Sequence, residues 1–545
     1  MLTCLAGGRV VDPAHDRDRI GDVWIRDGRV VEAPQGGGSG DARHDVSGKI
    51  VMAGGIDIHS HIAGANVNTA RLLLPEYHRA ALARPETTPL ASAGWSTFAT
   101  GCLYAGMGFT TVVEPAVAPH HALHAHLELA DVPIIDKAIL AVLGNDDILL
   151  GLIHARESAS AMRDYVAWAL ETSRALGVKV VNAGGAAAFK SNLREFSLDD
   201  VVPYYGVSSR QIVKTLQHAV HDLGVPHPLH VHCNNLGIAG SADTALATIA
   251  AAEGLPLHLA HLQFYGYGKD GARGFSSHAA RLAEAVNGAS SVTIDVGQVM
   301  FGPTVTISSD VLRQFNARDR AQPRKWVIFD GDSNGGGIVP YDYRVDDFYN
   351  AVQWAVGLEL FLLIDDPWRV FFTTDHPNGA PFTAYPEIFA LLMDRGVRDE
   401  WIARLPAEAM AVTTLPSISR EYSVTEIATM TRAAPARLLG LADRGHLGPG
   451  AVADIAVYED VTDRAAMFRN AALVFKDGEI VVRDGKVTRR RWGRAFAVRP
   501  EHDRAIDRRM RDYYDGRYGL SPEFMTVPDS AIGRPDPFEL VPCIT

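Results

Sequence analysis

The chain has 545 residues, 47% of them hydrophobic, and carries 52 Lys and Arg residues against 64 Asp and Glu residues. A chain of this length can bury a large core in more than one domain, and its acidic balance argues against a nucleic-acid partner. No stretch approaches the roughly 20 apolar residues of a membrane span, and the N-terminal sequence MLTCLAGGRVVDP lacks the pattern of a signal peptide, so we expect a globular protein of the cytoplasm.

The sequence pattern at both ends of the chain is typical of short strands joined by tight turns. In residues 1–53 the turn signal is Asp27-Gly28, and in residues 435–492 it is Asp477-Gly478 and Asp484-Gly485. Asp-Gly between apolar runs favours a two-residue β-hairpin. We therefore predict one small β-sandwich domain built from both chain ends.

Residues 54–434 repeat a rhythm of strand and helix. Two helix-like segments are expected to end at Gly177 and Gly224. Eight apolar runs have strand composition: 55–61, 109–116, 133–140, 178–184, 228–234, 256–264, 291–299 and 370–377. Eight such alternations predict a (β/α)₈ barrel of the TIM type rather than an open sheet.

Three segments depart from this rhythm. Residues 62–108 and 300–345 follow the first and seventh strands, so they should lie on the catalytic face of a barrel as lids or substrate walls. Residues 493–545 form a polar extension that contains Arg and Pro. We expect this extension either to dock onto a partner or to be disordered. The four cysteines show no C-x-x-C spacing, which argues against a locally ligated iron–sulfur cluster and a disulfide framework.

Histidines and one aspartate stand near the C-terminal ends of the predicted barrel strands. Residues two apart in a strand share a face, so His59 and His61 should point together into the barrel mouth. Two imidazoles there form a chelate for Zn²⁺ or a similar ion, with a pair of core histidines as the alternative. Similar residues end the fifth, sixth and eighth strands: His230 and His232, His258 and His261, and Asp375 with His376.

This order resembles the amidohydrolase superfamily, whose barrels carry H-x-H, a bridging ligand on the fourth strand, two further histidines and a final aspartate. The resemblance implies a site for two divalent cations, for which zinc suits the donors and manganese or iron are alternatives. The implied ligands are His59, His61, His232, His261 and Asp375.

The neighbouring histidines leave some ambiguity. His230 shares a face with His232 and could replace it, whereas His258 has the opposite parity to His261 and is expected to be structural. His376 follows the aspartate and is expected to shape the substrate pocket.

The bridging ligand in the binuclear branch of this superfamily is often a lysine carbamylated by CO₂. The fourth strand offers Lys179, whose ammonium is expensive to bury in an apolar strand. Carbamylation turns it into a carboxylate that can bridge two cations, so we predict an N6-carboxylated Lys179. The alternatives are a lysine whose ammonium reaches solvent at the strand start, and Lys190 as the modified residue.

A two-metal site predicts a hydrolytic mechanism. Two cations lower the pKa of a shared water, and the resulting hydroxide attacks a carbonyl carbon. Asp375 is then expected to accept a proton and to pass it to the leaving nitrogen, because an amine leaves poorly unless it is protonated.

Longer sequence segments resemble the amidohydrolase-type subunit of formylmethanofuran dehydrogenase and of the bacterial formyltransferase/hydrolase complex. These segments are GGIDIHSHIAGANVNTAR, GVKVVNAGG, HVHCNNLG, HLAHLQFYGYG and TTDHPNGAPFTAYP. The resemblance spans residues 1 to about 490. It implies hydrolysis of the N-formyl group of formyl-methanofuran, or an analogue, to formate and free amine. The partners would be a formyltransferase and other subunits of a hetero-oligomeric complex in one-carbon metabolism.

Several polar residues in these segments are expected to bind the substrate or to orient the metal ligands: Asn234, Asn235, Gln263 and Asn378. The corresponding subunit of the dehydrogenase is the first alternative function, and a dihydropyrimidinase-like or D-aminoacylase-like hydrolase is the second. A non-catalytic scaffold would be expected to lack metal ligands, and this chain has them all.

The methanofuran side chain carries γ-linked glutamates, which need cationic partners. The excursion after the seventh strand supplies a basic run: Arg313, Arg318, Arg320, Arg324 and Lys325. Binding of the anionic tail is one interpretation of this run, and a solvated loop is the other.

Overall fold

The computed structural model describes residues 1–35, 40–64, 67–68, 96–191, 193, 196–308, 329–331, 336–532 and 537–544. The strands in chain order are β1 (Leu2–Asp12), β2 (Arg17–Arg26), β3 (Arg29–Val31), β4 (Ala42–Asp45), β5 (Lys49–Ala53), β6 (Gly55–Asp57), β7 (Phe109–Val117), β8 (Asp136–Leu143), β9 (Gly177–Val181), β10 (Leu229–His232), β11 (Leu257–Leu259), β12 (Tyr267–Gly268), β13 (Ser276–Ser277), β14 (Val292–Asp295), β15 (Gly302–Ser308), β16 (Phe329–Gly331), β17 (Gly336–Tyr343), β18 (Val370–Phe371), β19 (Ile455–Glu459), β20 (Leu473–Lys476), β21 (Glu479–Arg483), β22 (Lys486–Val487), β23 (Ala495–Ala497) and β24 (Phe538–Leu540).

The α-helices in chain order are α1 (Thr97–Gly106), α2 (Ala122–Ala130), α3 (Asp147–His154), α4 (Ala159–Ser173), α5 (Gly185–Lys190), α6 (Ser209–Asp222), α7 (Ser241–Ala251), α8 (Ala279–Gly288), α9 (Phe348–Leu363), α10 (Tyr385–Met393), α11 (Arg395–Ile402), α12 (Ala407–Met410), α13 (Val424–Ala428), α14 (Ala434–Leu438), α15 (Arg464–Arg469) and α16 (Ala505–Tyr518). None of the helices in the described part of the chain is long and apolar enough to cross a membrane.

Eight parallel strands form the barrel, as the sequence predicts. Neighbours pair in the order β6, β7, β8, β9, β10, β11, β14 and β18. The first and eighth strands meet just beyond their ends, where Ser60 bridges His376 and the His61 N–H donates to the His376 carbonyl at 2.9 Å. Each strand overlaps its predicted run. The third begins at Asp136 rather than residue 133 because Ile134 adopts a left-handed backbone conformation (φ 71°).

The two helices predicted from periodicity are α4 and α6. Helix α6 starts with a capping box between Ser208 and Gln211, and Gly224 follows it at φ 64°. The prediction that Gly177 ends α4 is wrong. Helix α4 ends at Ser173 because Arg174 takes the left-handed cap position (φ 53°), and Gly177 begins β9.

Strands from both chain ends form the predicted small β domain. They make a nine-stranded mixed sheet in the order β22, β21, β20, β19, β5, β1, β2 and β3, with β4 also paired to β1. The two ends meet where β5 and β19 pair antiparallel, and Val51, Ile455 and Phe475 lie in the domain's core. The Asp-Gly pairs occupy its turns, with positive φ at both residues.

The C-terminal extension packs on its own barrel. Strand β9 pairs with β8 only from Leu140 onward, and β23 occupies the edge of β8 at Lys137 and Ala138. Strand β24 pairs with β23, and helix α16 packs against α4. The extension is therefore an integral part of the described fold.

A buried charge cluster joins the barrel, the β domain and this extension. The Asp136 carboxylate accepts hydrogen bonds from Lys476 Nζ at 2.8 Å and from Arg444 Nε at 3.2 Å. Lys476 also donates to Asp454 at 2.6 Å, and Arg444 donates to Glu539 of β24 at 3.1 Å. Opposite charges at these distances offset the cost of their burial.

The two excursions are described only in part. Residues 302–308, 329–331 and 336–343 form a small antiparallel sheet, β15–β17–β16. The predicted basic run, Arg313, Arg318, Arg320, Arg324 and Lys325, lies outside the described residues. In the first excursion, α1 packs beside β7.

Candidate metal centre

His59 and His61 follow β6 and converge on Asp375. The His59 Nε2 atom lies 3.1 Å and the His61 Nε2 atom 3.3 Å from Asp375 Oδ1. All three side chains are buried. Asp375 adopts a left-handed backbone conformation (φ 51°) just after β18, and the Thr373 hydroxyl accepts its backbone N–H at 2.9 Å. The structure thus brings the residues of the first and eighth strands to one point.

Lys179 lies at the same point. Its Nζ atom is 2.9 Å from His59 Nε2, and the side chain is buried in β9. Burial lowers the pKa of Lys179 to about 8, although the nearby Asp375 carboxylate opposes this shift. Lys190 instead ends α5 with an exposed side chain, so the geometry favours Lys179 over its rival.

His232 and His261 complete the group. The His261 Nε2 atom lies 3.9 Å from Asp375 Oδ2, and the rings of His232 and His261 are 4.6 Å apart, edge to face. The His232 Nε2 atom is buried without a hydrogen-bond partner among the described residues. Burial lowers the pKa of His261 to about 3 and that of His232 well below its usual value. Both imidazoles are therefore neutral at pH 7, the form that binds a metal.

Carboxylates behind the histidines fix their orientation. Glu114, near the end of β7, lies 2.9 Å from His61 Nδ1 and accepts the backbone N–H groups of Ile62 and Ala63. Asp295, the last residue of β14, lies 2.9 Å from His59 Nδ1 and accepts the His261 backbone N–H at 2.6 Å. Such partners fix the tautomer and direct the other ring nitrogen at a metal.

Glu114 and Asp295 were not predicted from the sequence. A signal was available, because each is an acidic residue near the C-terminal end of an apolar barrel strand. The role of Asp57 was not predicted either; its carboxylate accepts hydrogen bonds from the Tyr104 and Tyr385 hydroxyls and from the His59 backbone N–H.

The remaining histidines lie behind His59. The His230 Nε2 atom is 3.1 Å from His59 Nδ1, and its Nδ1 atom is 3.0 Å from His227 Nε2. His258 contacts Asp295 and Thr293 through its two ring nitrogens, in keeping with a structural role. His59, His230 and Asp295 form a second group of potential metal ligands. Within this group the His59 Nδ1 atom already contacts the Asp295 carboxylate at 2.9 Å.

The residues predicted to bind substrate have different surroundings. The Asn234 amide donates to the Ser209 hydroxyl, and the Asn378 amide donates to the Asp375 carbonyl. These contacts hold the loops that carry the ligands. The Gln263 amide nitrogen donates to Tyr267, but its buried Oε1 atom has no hydrogen-bond partner among the described residues. His376 is buried with its ring 5.0 Å from that of Phe382.

The donor set fits divalent cations. His59, His61 and Asp375 place one ligand atom each within 4.8 Å of one another. The Glu114 and Asp375 carboxylates raise the pKa of His61 to about 9, against the effect of burial, so a cation that binds there must displace the imidazolium proton. Nearby His261 and His59 hold the pKa of Asp375 well below its usual value despite its burial. A carboxylate surrounded by imidazoles in a buried site suits zinc or a similar ion.

Comparison with known proteins gives concordant matches. The model of the amidohydrolase family matches residues 44–488. The chain is 51% identical over 536 residues to FhcA of the formyltransferase/hydrolase complex of Methylorubrum extorquens, covering 97% of each. It is 39% identical over 454 residues to the protein FwdA of Methanocaldococcus jannaschii, covering 80% of this chain and 79% of that protein. It also superimposes, with a TM-score of 0.95, 51% identity and full coverage of both chains, on a chain in the crystal structure of the M. extorquens FhcABCD complex with methylofuran.

Proposed function

Because this chain belongs to the amidohydrolase family, whose model matches residues 44–488, we propose that it hydrolyses the formamide bond of formyl-methanofuran, or of a close analogue, to formate and free amine. It would do so as the hydrolase component of a formyltransferase/hydrolase complex. The observation that carries this proposal is the 51% identity to FhcA over 97% of both chains. The lower identity and coverage of FwdA make the corresponding component of a dehydrogenase complex the second candidate.

The proposed cofactor is a pair of divalent cations, preferably zinc. Its ligands would be His59, His61, Lys179 in its N6-carboxylated form, His232, His261 and Asp375. The convergence of these side chains and the partly neutral amine of Lys179 support this assignment. When bound, such cations acidify water and polarise a carbonyl oxygen.

Asp375 would carry the proton in the reaction. Water adds to the formyl carbon, the C–N bond breaks, and one proton of that water must reach the departing nitrogen. The Asp375 carboxylate is ionised and buried beside both histidine pairs, so it can accept this proton and deliver it to the amine. The Thr373 hydroxyl and the Asn378 backbone N–H, which donates to the Asp375 carbonyl at 2.7 Å, hold the residue in place.

Gln263 and His376 remain the proposed substrate-binding side chains. The Gln263 Oε1 atom is buried and lacks a hydrogen-bond partner among the described residues, so a substrate N–H could donate to it. His376 lies at the closure of the barrel beside Asp375. Asn234 and Asn378 would act through the loops that they hold.

The test uses the metal-replete protein without an electron acceptor. We expect formate release from formyl-methanofuran that is lost on chelation, is lost in Asp375→Asn and is retained in the exposed control Asp365→Asn. If dihydrouracil or hydantoin is opened and no formate is released from formyl-methanofuran, the protein is a cyclic-amide hydrolase and the proposal is wrong.

A further inference from the structure

We propose that the aromatic surface at the rim of the catalytic face docks the formyltransferase that supplies the substrate. We call this surface the rim patch and define it as Tyr204, Tyr205, Tyr513, Arg517, Tyr518, Leu520 and Phe524. The inference rests on the proposed function and adds to it the place where the partner binds.

The C-terminal extension reaches the catalytic face. In a barrel, segments that follow strands lie at that face. Residues 522–525 contact residues 119–121, which follow β7. Tyr513 and Arg517 of α16 both bind Asp147, the first residue of α3, which follows β8. Tyr205, in the connection after β9, donates to the same carboxylate at 2.5 Å. Three successive strand-to-helix connections therefore meet the extension at the rim.

The rim patch is continuous. Arg517 lies over the Tyr513 ring at 5.7 Å, and the rings of Tyr513 and Tyr518 are 6.0 Å apart. The Tyr514 ring, 6.1 Å from that of Tyr518, lies 5.8 Å from that of Phe524. Through Asp147 these groups join Tyr205 and its neighbour Tyr204.

Much of this surface is unusually exposed for apolar side chains. The exposed fractions are 89% for Tyr204, 53% for Tyr518, 50% for Leu520 and 44% for Phe524. Tyr204 also has a left-handed backbone conformation (φ 71°) in a loop closed by the Val201–Ser208 bridge. Clustered exposed aromatic side chains beside an arginine are typical of energetic centres of protein interfaces. Because Asp147 ties the turn to α16, the patch is held in shape before a partner binds.

The position of the rim patch indicates which partner protein binds there. A substrate formylated on another protein of the complex must enter at the strand C-terminal ends, where Lys179 and Asp375 lie, so a partner that passes it on directly approaches this rim. The opposite end of the same extension offers a matched control. Ile544, 72% exposed, lies beside Gly224 after α6, on the side of the barrel where strands begin.

The test measures assembly of the purified chain with the formyltransferase and the other members of the complex. We expect Tyr204→Asp and Tyr518→Asp each to weaken binding of the formyltransferase about tenfold or more, and Ile544→Asp to leave it unchanged. Formate release by the isolated chain from free formyl-methanofuran should be the same in all three variants.

Wild-type affinity for the formyltransferase in both rim variants would overturn the inference, as would loss of a different member of the complex while the formyltransferase stays bound. Failure of the proposed function is distinguishable, because it appears as absence of formate release from the wild-type chain, whereas binding of the formyltransferase is measured separately.

Discussion

The low pKa of Lys179 predicts how its carbamylation depends on pH. Only the neutral amine reacts with CO₂. With a pKa of about 8, Lys179 is about 9% neutral at pH 7, half neutral at pH 8 and about 90% neutral at pH 9. At fixed dissolved CO₂, carbamylation of the metal-free protein should therefore accelerate about tenfold from pH 7 to pH 9 and then level off. A lysine of ordinary pKa would accelerate about 100-fold over this range and continue to rise.

The assay follows the carbamate signal by ¹³C NMR after addition of labelled CO₂ to the metal-free protein. We expect the signal in the wild type and in the exposed control Lys190→Ala, and its absence in Lys179→Ala. A carbamate that persists in Lys179→Ala, or a rate that rises about tenfold per pH unit beyond pH 9, would refute the assignment of the bridging ligand.

Three further predictions concern activity, metal affinity and stability. Asp375→Asn should lower formate release by about 10²–10⁴-fold while the chain stays folded by circular dichroism, because an amide cannot accept the proton; activity within tenfold of wild type would contradict this role. Glu114→Gln should weaken metal binding about 10–100-fold in a chelator competition, since the carboxylate partner of His61 is lost; unchanged affinity would show that Glu114 does not orient it. Burial lowers the pKa of His126 to about 4, below its ordinary value of 6.5, so the unfolded chain binds the proton first as pH falls. Stability from this residue should be complete above pH 6.5 and fall by about 3 kcal/mol between pH 6.5 and pH 4 in urea unfolding, and His126→Gln should remove that part of the acid dependence.

The barrel and most of the proposed ligand set could be predicted from the sequence because both depend on local patterns. Strand composition located the eight strands, and the two-residue period placed His59 and His61 on one face. Lys179 stood out as a charged residue inside an apolar strand. These features need no knowledge of which strands are neighbours.

Features set by tertiary pairing could not be predicted in this way. The roles of Glu114 and Asp295 are visible only in the folded chain, where β7 and β14 place their carboxylates beside the Nδ1 atoms of His61 and His59. The inward-pointing amides of Asn234 and Asn378 contact the chain itself, which residue type alone does not reveal. The C-terminal extension packs on the barrel because β23 pairs with the part of the β8 edge that β9 leaves unpaired.

The position of β24 has a consequence for truncated forms of the protein. In a chain truncated before residue 538, Arg444 lacks its Glu539 partner and β23 lacks its β24 neighbour. Such a truncation would leave the buried Arg444 with Asp136 and Asp443 but without its third carboxylate, which would lower the stability of the fold. Cellular quality control would then meet a chain whose barrel is complete but whose buried charge cluster has lost a partner.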